Sequence, residues 1–300
     1  MEIDLTDFEM YLNAQEHSPR TTQGYLRDMH LFAVWFEQTN GEPLNPKSLT
    51  RIDAREYRQH LLTVVGAKPA TINRRLAALR SYSDWARASG QVDYSLVNGV
   101  KNVEEQKHAP KWLDKKDQDQ LLREMDKNLN AARTAPAQRQ AVRDKAIVFL
   151  LIYSGLRVSE LVGLDQSDVV ITDRKGTVWV RMGKGGKQRT VPLNKPARDV
   201  LDAWQEQRPS TDERAYFLNK NNGRLTARSI QEMLGELSRR AKVDATPHTL
   251  RHTFAKNLIN AGVSLEKVSA LMGHSKLETT TIYVTPSQND LERAVDLLGE

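Results

Sequence analysis

The segment Thr246–His252 combines a predicted helix start with residue types that bind phosphates and move protons. Pro247 suits the first position of a helix, so His248 and Arg251 fall three residues apart on one face near the N-terminus. Free N–H groups at a helix start attract anions, an arginine adds a fork of donors, and a histidine exchanges protons near neutral pH. The combination suits a phosphate site, but for this pair taken alone a surface histidine and arginine with no role are the favoured explanation.

His248 and His252 also have the four-residue spacing of two metal ligands on a helix. That alternative is weaker, because no glutamate follows His248 as in a zinc protease and Arg251 would place a positive charge beside the metal. The motifs also lack the clustered carboxylates of a metal-dependent nuclease. We therefore predict no metal and no cofactor.

Four further residues are candidates, and all but His274 also have a plain structural explanation. His274 is followed nine residues later by Tyr283 in a threonine-rich segment, but a lone tyrosine is more often half-buried in a core. Arg157 begins a helix and is either paired with Glu160 or directed into a site. Lys184 lies in a glycine-rich turn between two strands, which is also typical of an exposed hairpin tip.

Apolar periodicity predicts which elements position these side chains. Residues 1–105 are expected to form a helical domain, followed by a polar, aperiodic linker at 106–112. The helices of this domain are predicted to start at Ser18-Pro19, to run from Asp53 to Val65, and to run from Ala70 to about Ser89.

Residues 113–300 form the second predicted domain. A helix at 117–129 leads into a loop or extended helix up to Arg143 and then a buried helix pair at 144–164, broken at Ser154-Gly155. Between Val169 and Leu193 the apolar period changes to two, which predicts a small antiparallel sheet. Later helices are expected to start at Thr246 and Ser264 and to end at Gly262 and Gly273. The predicted fold is mainly α with a small antiparallel β-sheet, in two domains.

Composition sets broader limits. A length of 300 residues favours two domains, and 44 Lys and Arg against 38 Asp and Glu give a net charge of +6, which suits a polyanionic partner but is ordinary for a soluble protein. The absence of cysteine excludes disulfides, thiolate metal sites and cysteine nucleophiles. The N-terminus is acidic, unlike a signal peptide, and the longest apolar run, 146–153, is far shorter than the ~20 residues of a membrane span. We expect a cytoplasmic protein without membrane association.

Short motifs follow one another in a distinctive order: GLRVSEL, GKG with VPL after it, HTLRHTFA, LMGHS and TTTIY. They contain the six candidates Arg157, Lys184, His248, Arg251, His274 and Tyr283. In these features the chain resembles the tyrosine recombinase (phage integrase) family, and it is most similar to the Xer-type simple recombinases. The resemblance covers nearly the whole chain, at the level of pattern alone in the N-terminal domain, and the stretch 129–143 is longer than the family's usual spacer.

The resemblance implies a reaction that moves protons and exchanges phosphodiester bonds. Tyr283 would attack the scissile phosphate, form a 3′-phosphotyrosyl bond and release a 5′-hydroxyl. Because one phosphodiester replaces another, no ATP is required. His248 would assist proton transfer from Tyr283, and Lys184 would protonate the leaving 5′-oxygen.

The resemblance also implies how the charge of the reaction would be stabilised. Arg157 and Arg251 would hold the nonbridging oxygens and stabilise the pentavalent transition state, which a metal ion does in other enzymes. His274 would donate a hydrogen bond to a phosphate oxygen. The six residues would thus divide into a nucleophile, groups that move protons and groups that bind the phosphate.

The third predicted helix is a candidate DNA-binding element. Between Lys68 and Arg87 it has five basic residues and one acid, and its predicted buried stripe is Ile72, Leu76 and Leu79. The opposite face is predicted to hold Thr71, Arg74, Arg75, Ala78 and Ser81. A solvated basic helix explains the segment nearly as well, but a catalytic domain downstream favours a helix in a DNA major groove. We assign DNA contacts to Lys68, Thr71, Arg74, Arg75 and Arg80.

The implied partner is a double-stranded DNA recombination site, clamped by the two domains from opposite sides. An amphipathic helix at 288–299 either packs on its own domain or, as in the family, docks on a neighbouring protomer to build a homo-tetramer on two DNA sites joined by a Holliday junction. The sequence leaves open the DNA target, an accessory protein or second recombinase, and the task, which is dimer resolution, transposon resolution or integration.

Two other classes of protein compete with a recombinase. A type IB topoisomerase would use the same residues to relax DNA, but the tail helix and the compact N-terminal domain argue against it. A catalytically silent DNA-binding regulator would not need all six candidate residues.

Overall fold

The computed structural model describes residues 3–15, 17–95, 97–105, 110–181, 188–273 and 295. The chain divides into two compact units, Met1–Lys107 and His108–Glu300. The predicted linker, 106–112, spans this division, and residues 106–109 lie outside the described ones. The bounds chosen for the two domains stay a prediction.

The described part of the first unit is helical, as predicted. Its helices are α1 (Thr6–Ala14), α2 (Pro19–Asn40), α3 (Arg51–Thr63) and α4 (Pro69–Ala88). Ser18 caps α2 by accepting a hydrogen bond from the Thr21 N–H at 3.2 Å. Thr50 and Asp53 form a capping box at the start of α3, so this helix begins two residues before the predicted start at Asp53.

Helix α4 lies at the centre of the first unit, in contact with α1, α2 and α3. Ile72, Leu76 and Leu79 are buried, which confirms the predicted stripe. The prediction that Ala78 lies on the opposite, exposed face is wrong, because its side chain is completely buried. A helix that packs against three others buries a wider face than one stripe, and a small side chain lets them approach closely.

The second unit is mainly helical with one small sheet. Its described elements are α5 (Lys115–Ala131), α6 (Ala135–Ser154), α7 (Val158–Val162), a 3₁₀ turn (Gln166–Asp168), β1 (Val169–Ile171), β2 (Gly176–Val180), β3 (Arg189–Pro192), α8 (Lys195–Gln207), α9 (Ala227–Ala241), α10 (Pro247–Asn260) and α11 (Leu265–Met272). Within the described ranges, no helix is long and apolar enough to cross a membrane.

The strands form an antiparallel sheet in the order β1-β2-β3, as their alternating pattern predicts. Val178 on β2 lies opposite Val169 on β1 and Val191 on β3, and all three side chains are buried. Trp179 points to the other face and is 43% exposed. The fold class predicted from the sequence is confirmed.

The stretch between Leu129 and Arg143 is more regular than a loop. Helix α5 continues to Ala131, and Thr134 starts α6 by accepting a hydrogen bond from the Ala137 N–H at 3.4 Å. Helix α6 then runs without interruption to Ser154, so the extended-helix alternative is the correct one.

Gly155 ends α6, as predicted, in the left-handed conformation with φ of 61°. A Cβ at this position would overlap the ring of Phe254 on α10. Glycine is therefore required twice, by the backbone angle and by the close approach of α10. The break places Arg157 at the start of the next helix.

Candidate active site and DNA-binding surface

The start of α10 holds His248 and Arg251. Thr246 caps the helix by accepting a hydrogen bond from the Thr249 N–H at 3.1 Å, and Pro247 is the first helical residue. His248 is exposed in the first turn, whereas Arg251, one turn later, is only 5% exposed. The protein therefore encloses the arginine and leaves the histidine accessible to solvent.

Two helix ends fix the guanidinium of Arg251. Its Nη1 donates to the carbonyl oxygen of Gly155, just after α6, and its Nη2 donates to that of Met272, the last residue of α11, at 2.6 Å. The last carbonyls of a helix lack partners within the helix and carry partial negative charge. They are suited to hold a buried cation in one orientation.

Arg157 forms the cap position of α7 and is held by Glu160 one turn later. Its Nη1 lies 2.7 Å from Oε1 of Glu160, and its backbone N–H donates to Oε2 at 2.9 Å. Its Nη2 lies 3.4 Å from the carbonyl oxygen of Gly273, directly after α11. The pairing with Glu160 that the sequence suggested is therefore present, while 26% of the Arg157 side chain stays exposed.

Glu160 binds a second arginine that the sequence interpretation missed. Nη1 and Nη2 of Arg189, the first residue of β3, donate to Oε1 and Oε2 of Glu160 at 3.0 and 2.8 Å. Burial by itself would raise the pKa of Glu160, but the hydrogen bonds and positive charge of Arg189 and Arg157 lower it below its ordinary value. Glu160 is therefore ionised at neutral pH.

We call Arg157, Arg189, Arg251 and Glu160 the arginine centre. Nη1 of Arg251 lies 3.9 Å from Oε2 of Glu160, so three guanidinium groups surround one carboxylate, whose side chain is 3% exposed. The group has an excess of two positive charges. Guanidinium groups held in place before a reaction can bind phosphate oxygens and stabilise added negative charge in a transition state.

The two histidines of α10 differ in environment. The pKa of His252 is lowered by burial and, to a lesser extent, by His248 and Arg251, so His252 is neutral at neutral pH. No group of three or more His, Cys, Asp or Glu residues in the described part of the chain is placed to hold a metal ion.

Lys184, His274 and Tyr283 lie outside the described residues, and their roles stay predictions. In the sequence, Lys184 stands between the end of β2 at Val180 and the start of β3 at Arg189. His274 directly follows Gly273 in the sequence.

The predicted DNA-binding arginines of α4 have partners within the first unit. The side chain of Asp28 on α2 is 1% exposed; it forms a hydrogen bond with Nη1 of Arg74 and lies 3.9 Å from Nε of Arg75. Nη2 of Arg80 donates to the carbonyl oxygen of Val100 at 2.9 Å. The three arginines are thus partly bonded within their own unit.

Exposure differs among these predicted contact residues. Lys68 is exposed just before α4, and Thr71 is half-buried in its first turn. The Arg74 side chain is 40% exposed, against 19% for Arg75. Of the two arginines at Asp28, Arg74 is therefore the more accessible, and all five contacts stay predictions.

Comparisons with known proteins establish the family. The model of the phage integrase family matches residues 111–290, and that of the phage integrase N-terminal SAM-like domain matches residues 5–90. The chain therefore belongs to the phage integrase family. This confirms the resemblance found in the motifs around Arg157, Arg251 and Tyr283.

Curated relatives span almost the full chain. Tyrosine recombinase XerC of Salmonella typhi is 33% identical over 290 residues, which cover 94% of this chain and 91% of the relative. Tyrosine recombinase XerC of Syntrophus aciditrophicus is 29% identical, with 97% and 96% covered.

A solved structure shares the fold at lower identity. The XerH site-specific recombinase bound to palindromic difH substrate, in a post-cleavage complex, superposes with a TM-score of 0.74 at 20% identity, covering 96% of this chain and 82% of that one.

Proposed function

We propose that this protein is a site-specific DNA recombinase, which cuts one DNA strand with Tyr283 and rejoins it to a new partner strand. The observation that carries the proposal is the arginine centre. In this member of the family, the start of α7 and the ends of α6 and α11 hold Arg157 and Arg251 beside one buried carboxylate, that of Glu160. Curated relatives that match almost the whole chain are tyrosine recombinases, which favours strand exchange over relaxation alone.

The first step breaks one phosphodiester bond and forms another. The phenolic oxygen of Tyr283 attacks the scissile phosphorus and gives up its proton, with His248 assisting, because a tyrosine with a pKa of about 10 is a weak nucleophile at neutral pH. The bond from phosphorus to the 5′-oxygen breaks, and Lys184 supplies the proton that this oxygen needs to leave as a hydroxyl. The resulting 3′-phosphotyrosyl bond keeps the strand attached to the protein.

The second step reverses the first with a different strand. The 5′-hydroxyl of a partner duplex attacks the phosphotyrosyl bond and releases Tyr283. One phosphodiester has then been exchanged for another through a Holliday junction, with no net change in bond type and no need for ATP.

The arginine centre lowers the barrier of both steps. Arg157 and Arg251 donate to the nonbridging oxygens, whose negative charge grows in the pentavalent transition state, and His274 donates one further hydrogen bond. Because Glu160 and the helix ends already orient the two guanidinium groups, little reorganisation is needed when the charge develops.

DNA binding requires the first unit as well. Lys68, Thr71, Arg74, Arg75 and Arg80 contact the phosphates and groove edges of a recombination site, and the two units clamp the duplex. Side-chain contacts to phosphates supply most of the affinity and make it dependent on salt.

The tail at 288–299 joins protomers into a homo-tetramer on two sites. Within this predicted amphipathic helix, the described residue Val295 is helical and 65% exposed. An apolar side chain exposed on its own protomer is suited to docking on another. An accessory protein or a second recombinase would act on this tetramer.

Strand exchange is the test that separates a recombinase from a topoisomerase. Two labelled duplexes that carry a site selected from random DNA with the purified protein would be incubated with the full chain and with a chain lacking residues 288–300. The full chain is expected to give duplexes with exchanged flanks, and the shortened chain is expected to bind single sites without exchange. Relaxation of a supercoiled plasmid carrying the site, without exchanged products, would contradict the proposal and favour the topoisomerase class.

A further inference from the structure

Arg189 occupies a junction between three segments of the second unit. It is the first residue of β3, opposite Val180 at the end of β2, and its side chain is 10% exposed. Besides its two hydrogen bonds to Glu160 on α7, its Nε donates to the carbonyl oxygen of Leu271 on α11 at 2.8 Å. One guanidinium therefore joins β3, α7 and the end of α11.

The backbone after α11 is shaped to fit this side chain. Gly273 has φ of 63°, and a Cβ at this position would lie 2.7 Å from Nη1 of Arg189. The glycine thus allows Arg189 to approach the point where Gly273 accepts from Arg157 and Met272 accepts from Arg251. Arg189 thus shares Glu160 with Arg157, and it binds Leu271, the residue before the Met272 that holds Arg251.

Loss of Arg189 would remove hydrogen bonds from both Glu160 and the end of α11. Glu160 would lose one of the two hydrogen bonds to each of its oxygens, since each oxygen accepts one from Arg157 and one from Arg189. The end of α11 would lose the hydrogen bond at the Leu271 carbonyl, and the neighbouring residue Met272 holds Arg251. Arg157 and Arg251 would then be less precisely oriented, although neither forms a hydrogen bond with Arg189.

We propose that Arg189 is a positioning residue for the cleavage reaction, which acts through Glu160 and the end of α11 on Arg157 and Arg251. The inference rests on the proposed function, because it assigns Arg157 and Arg251 to the scissile phosphate. A role of Arg189 in folding alone would weaken the protein without any dependence on the charge of that phosphate.

Arg181 provides a matched control. Arg181 directly follows the end of β2, as Arg189 begins β3, and Lys184 lies between them in the sequence. The Arg181 side chain binds Asp168 and Asp165 at 2.6 and 2.9 Å. It also donates to the hydroxyl of Ser167 at 2.8 Å. These partners lie outside the arginine centre, so Arg181→Gln removes a strand-end arginine of similar bonding without touching Glu160.

The test compares two substrates that differ at one nonbridging oxygen of the scissile phosphate. One nicked duplex carries a normal scissile phosphodiester and the other a methylphosphonate, in which a methyl group replaces one charged nonbridging oxygen. Single-turnover formation of the covalent adduct is measured at saturating protein. Arg189→Gln is expected to slow cleavage of the phosphodiester roughly 100-fold and of the methylphosphonate less than about tenfold, because arginines stabilise the charge that the methyl group removes.

Control variants define the pattern. Arg157→Ala should show the same dependence on substrate, and Arg181→Gln should slow both substrates by the same factor. DNA affinity should stay unchanged in the Arg189 and Arg181 variants. Arg189→Lys, which keeps the charge but cannot make all three hydrogen bonds, should show a smaller version of the effect and serves if Arg189→Gln does not fold.

The outcomes separate the two claims. Equal slowing of both substrates by the Arg189 variants, or wild-type rates with both, would overturn the positioning role while Arg157→Ala still supports the proposed function. Absence of an adduct with wild-type protein, or an Arg157→Ala variant without substrate dependence, would overturn the proposed function and this inference with it.

Discussion

Each unit of the protein contains a buried carboxylate that holds arginines, and the two differ in how completely they are bonded. In the second unit, Glu160 accepts two hydrogen bonds at each oxygen. In the first unit, Asp28 binds Arg74 through Oδ2, but its Oδ1 has no hydrogen-bond partner among the described residues, and Nε of Arg75 lies 3.9 Å away. Both oxygens of Glu160 are thus fully hydrogen-bonded, whereas one oxygen of Asp28 can still accept a hydrogen bond.

The difference corresponds to the two tasks that we assign to the units. Stabilising a transition state requires donors that are fixed before charge develops, which the complete bonding of Glu160 provides. Contacting a DNA backbone requires cations that can adjust to phosphate positions, which the partly bonded pair at Asp28 allows. Similar residue types thus form a rigid site in one unit and an adaptable surface in the other.

The largest expected effect comes from neutralising the carboxylate of the rigid cluster. Glu160→Gln keeps the size of the side chain but leaves Arg157 and Arg189 without a counter-charge in a buried site. The free energy of unfolding should fall by about 3 kcal/mol, since one partner of a buried ion pair is removed. Single-turnover cleavage should fall roughly 1000-fold, because the phosphate-binding arginines lose their orientation.

Chemical denaturation and adduct formation at saturating protein measure these two quantities separately. Cleavage at the wild-type rate by a folded Glu160→Gln protein would remove the proposed distinction between a preorganised and an adaptable cluster.

A moderate effect is expected from Arg74→Gln in the adaptable cluster. Loss of one phosphate contact should weaken DNA binding about tenfold and reduce the slope of log affinity against log salt by about one. The rate of cleavage at saturating protein should not change, because Arg74 belongs to the other unit.

Arg87→Gln is the control for this prediction. Arg87 lies on the same helix, pairs with Asp84 at 3.6 Å and is 56% exposed. It should leave the salt dependence unchanged, and equal slopes for Arg74→Gln and wild type would exclude Arg74 from the DNA contacts.

The smallest effect is the dependence of stability on pH that Glu160 contributes. Its pKa in the folded protein lies below the ordinary value of 4.5, so its ion pairs stabilise the fold above that value and are lost as pH falls through the lowered pKa. The free energy of unfolding should therefore decrease more steeply below pH 4.5 in wild type than in Glu160→Gln. Parallel curves for the two proteins would show that Glu160 does not titrate as an ion-paired group.

Local signals in the sequence were sufficient to predict much of the fold. Proline and threonine at helix starts, glycine at helix ends, and the change of period near Val169 each specify a structure within a few residues, and the elements confirm them. The burial of Ala78 was missed because it depends on how many helices pack around α4, which no single stripe reveals.

The candidate site shows the same division between local and distant information. The link of Arg157 with Glu160 was visible in the sequence because the two residues are one helical turn apart. Arg189 is separated from Glu160 by 29 residues and from Leu271 by 82, and nothing in its strand marks it as part of a site. Contacts of this kind become apparent only when the sheet and α11 are placed beside α7.

Tyr283 is the group on which the proposed reaction depends most directly, as a nucleophile that needs no metal. A nicked duplex carrying the selected recombination site would be incubated with wild type and with Tyr283→Phe in the presence of EDTA, and the products separated on a denaturing gel. We predict a covalent protein–DNA adduct with wild type and none with Tyr283→Phe, although both bind the site. An adduct of equal yield with Tyr283→Phe, or no adduct with bound wild type, would contradict the central claim.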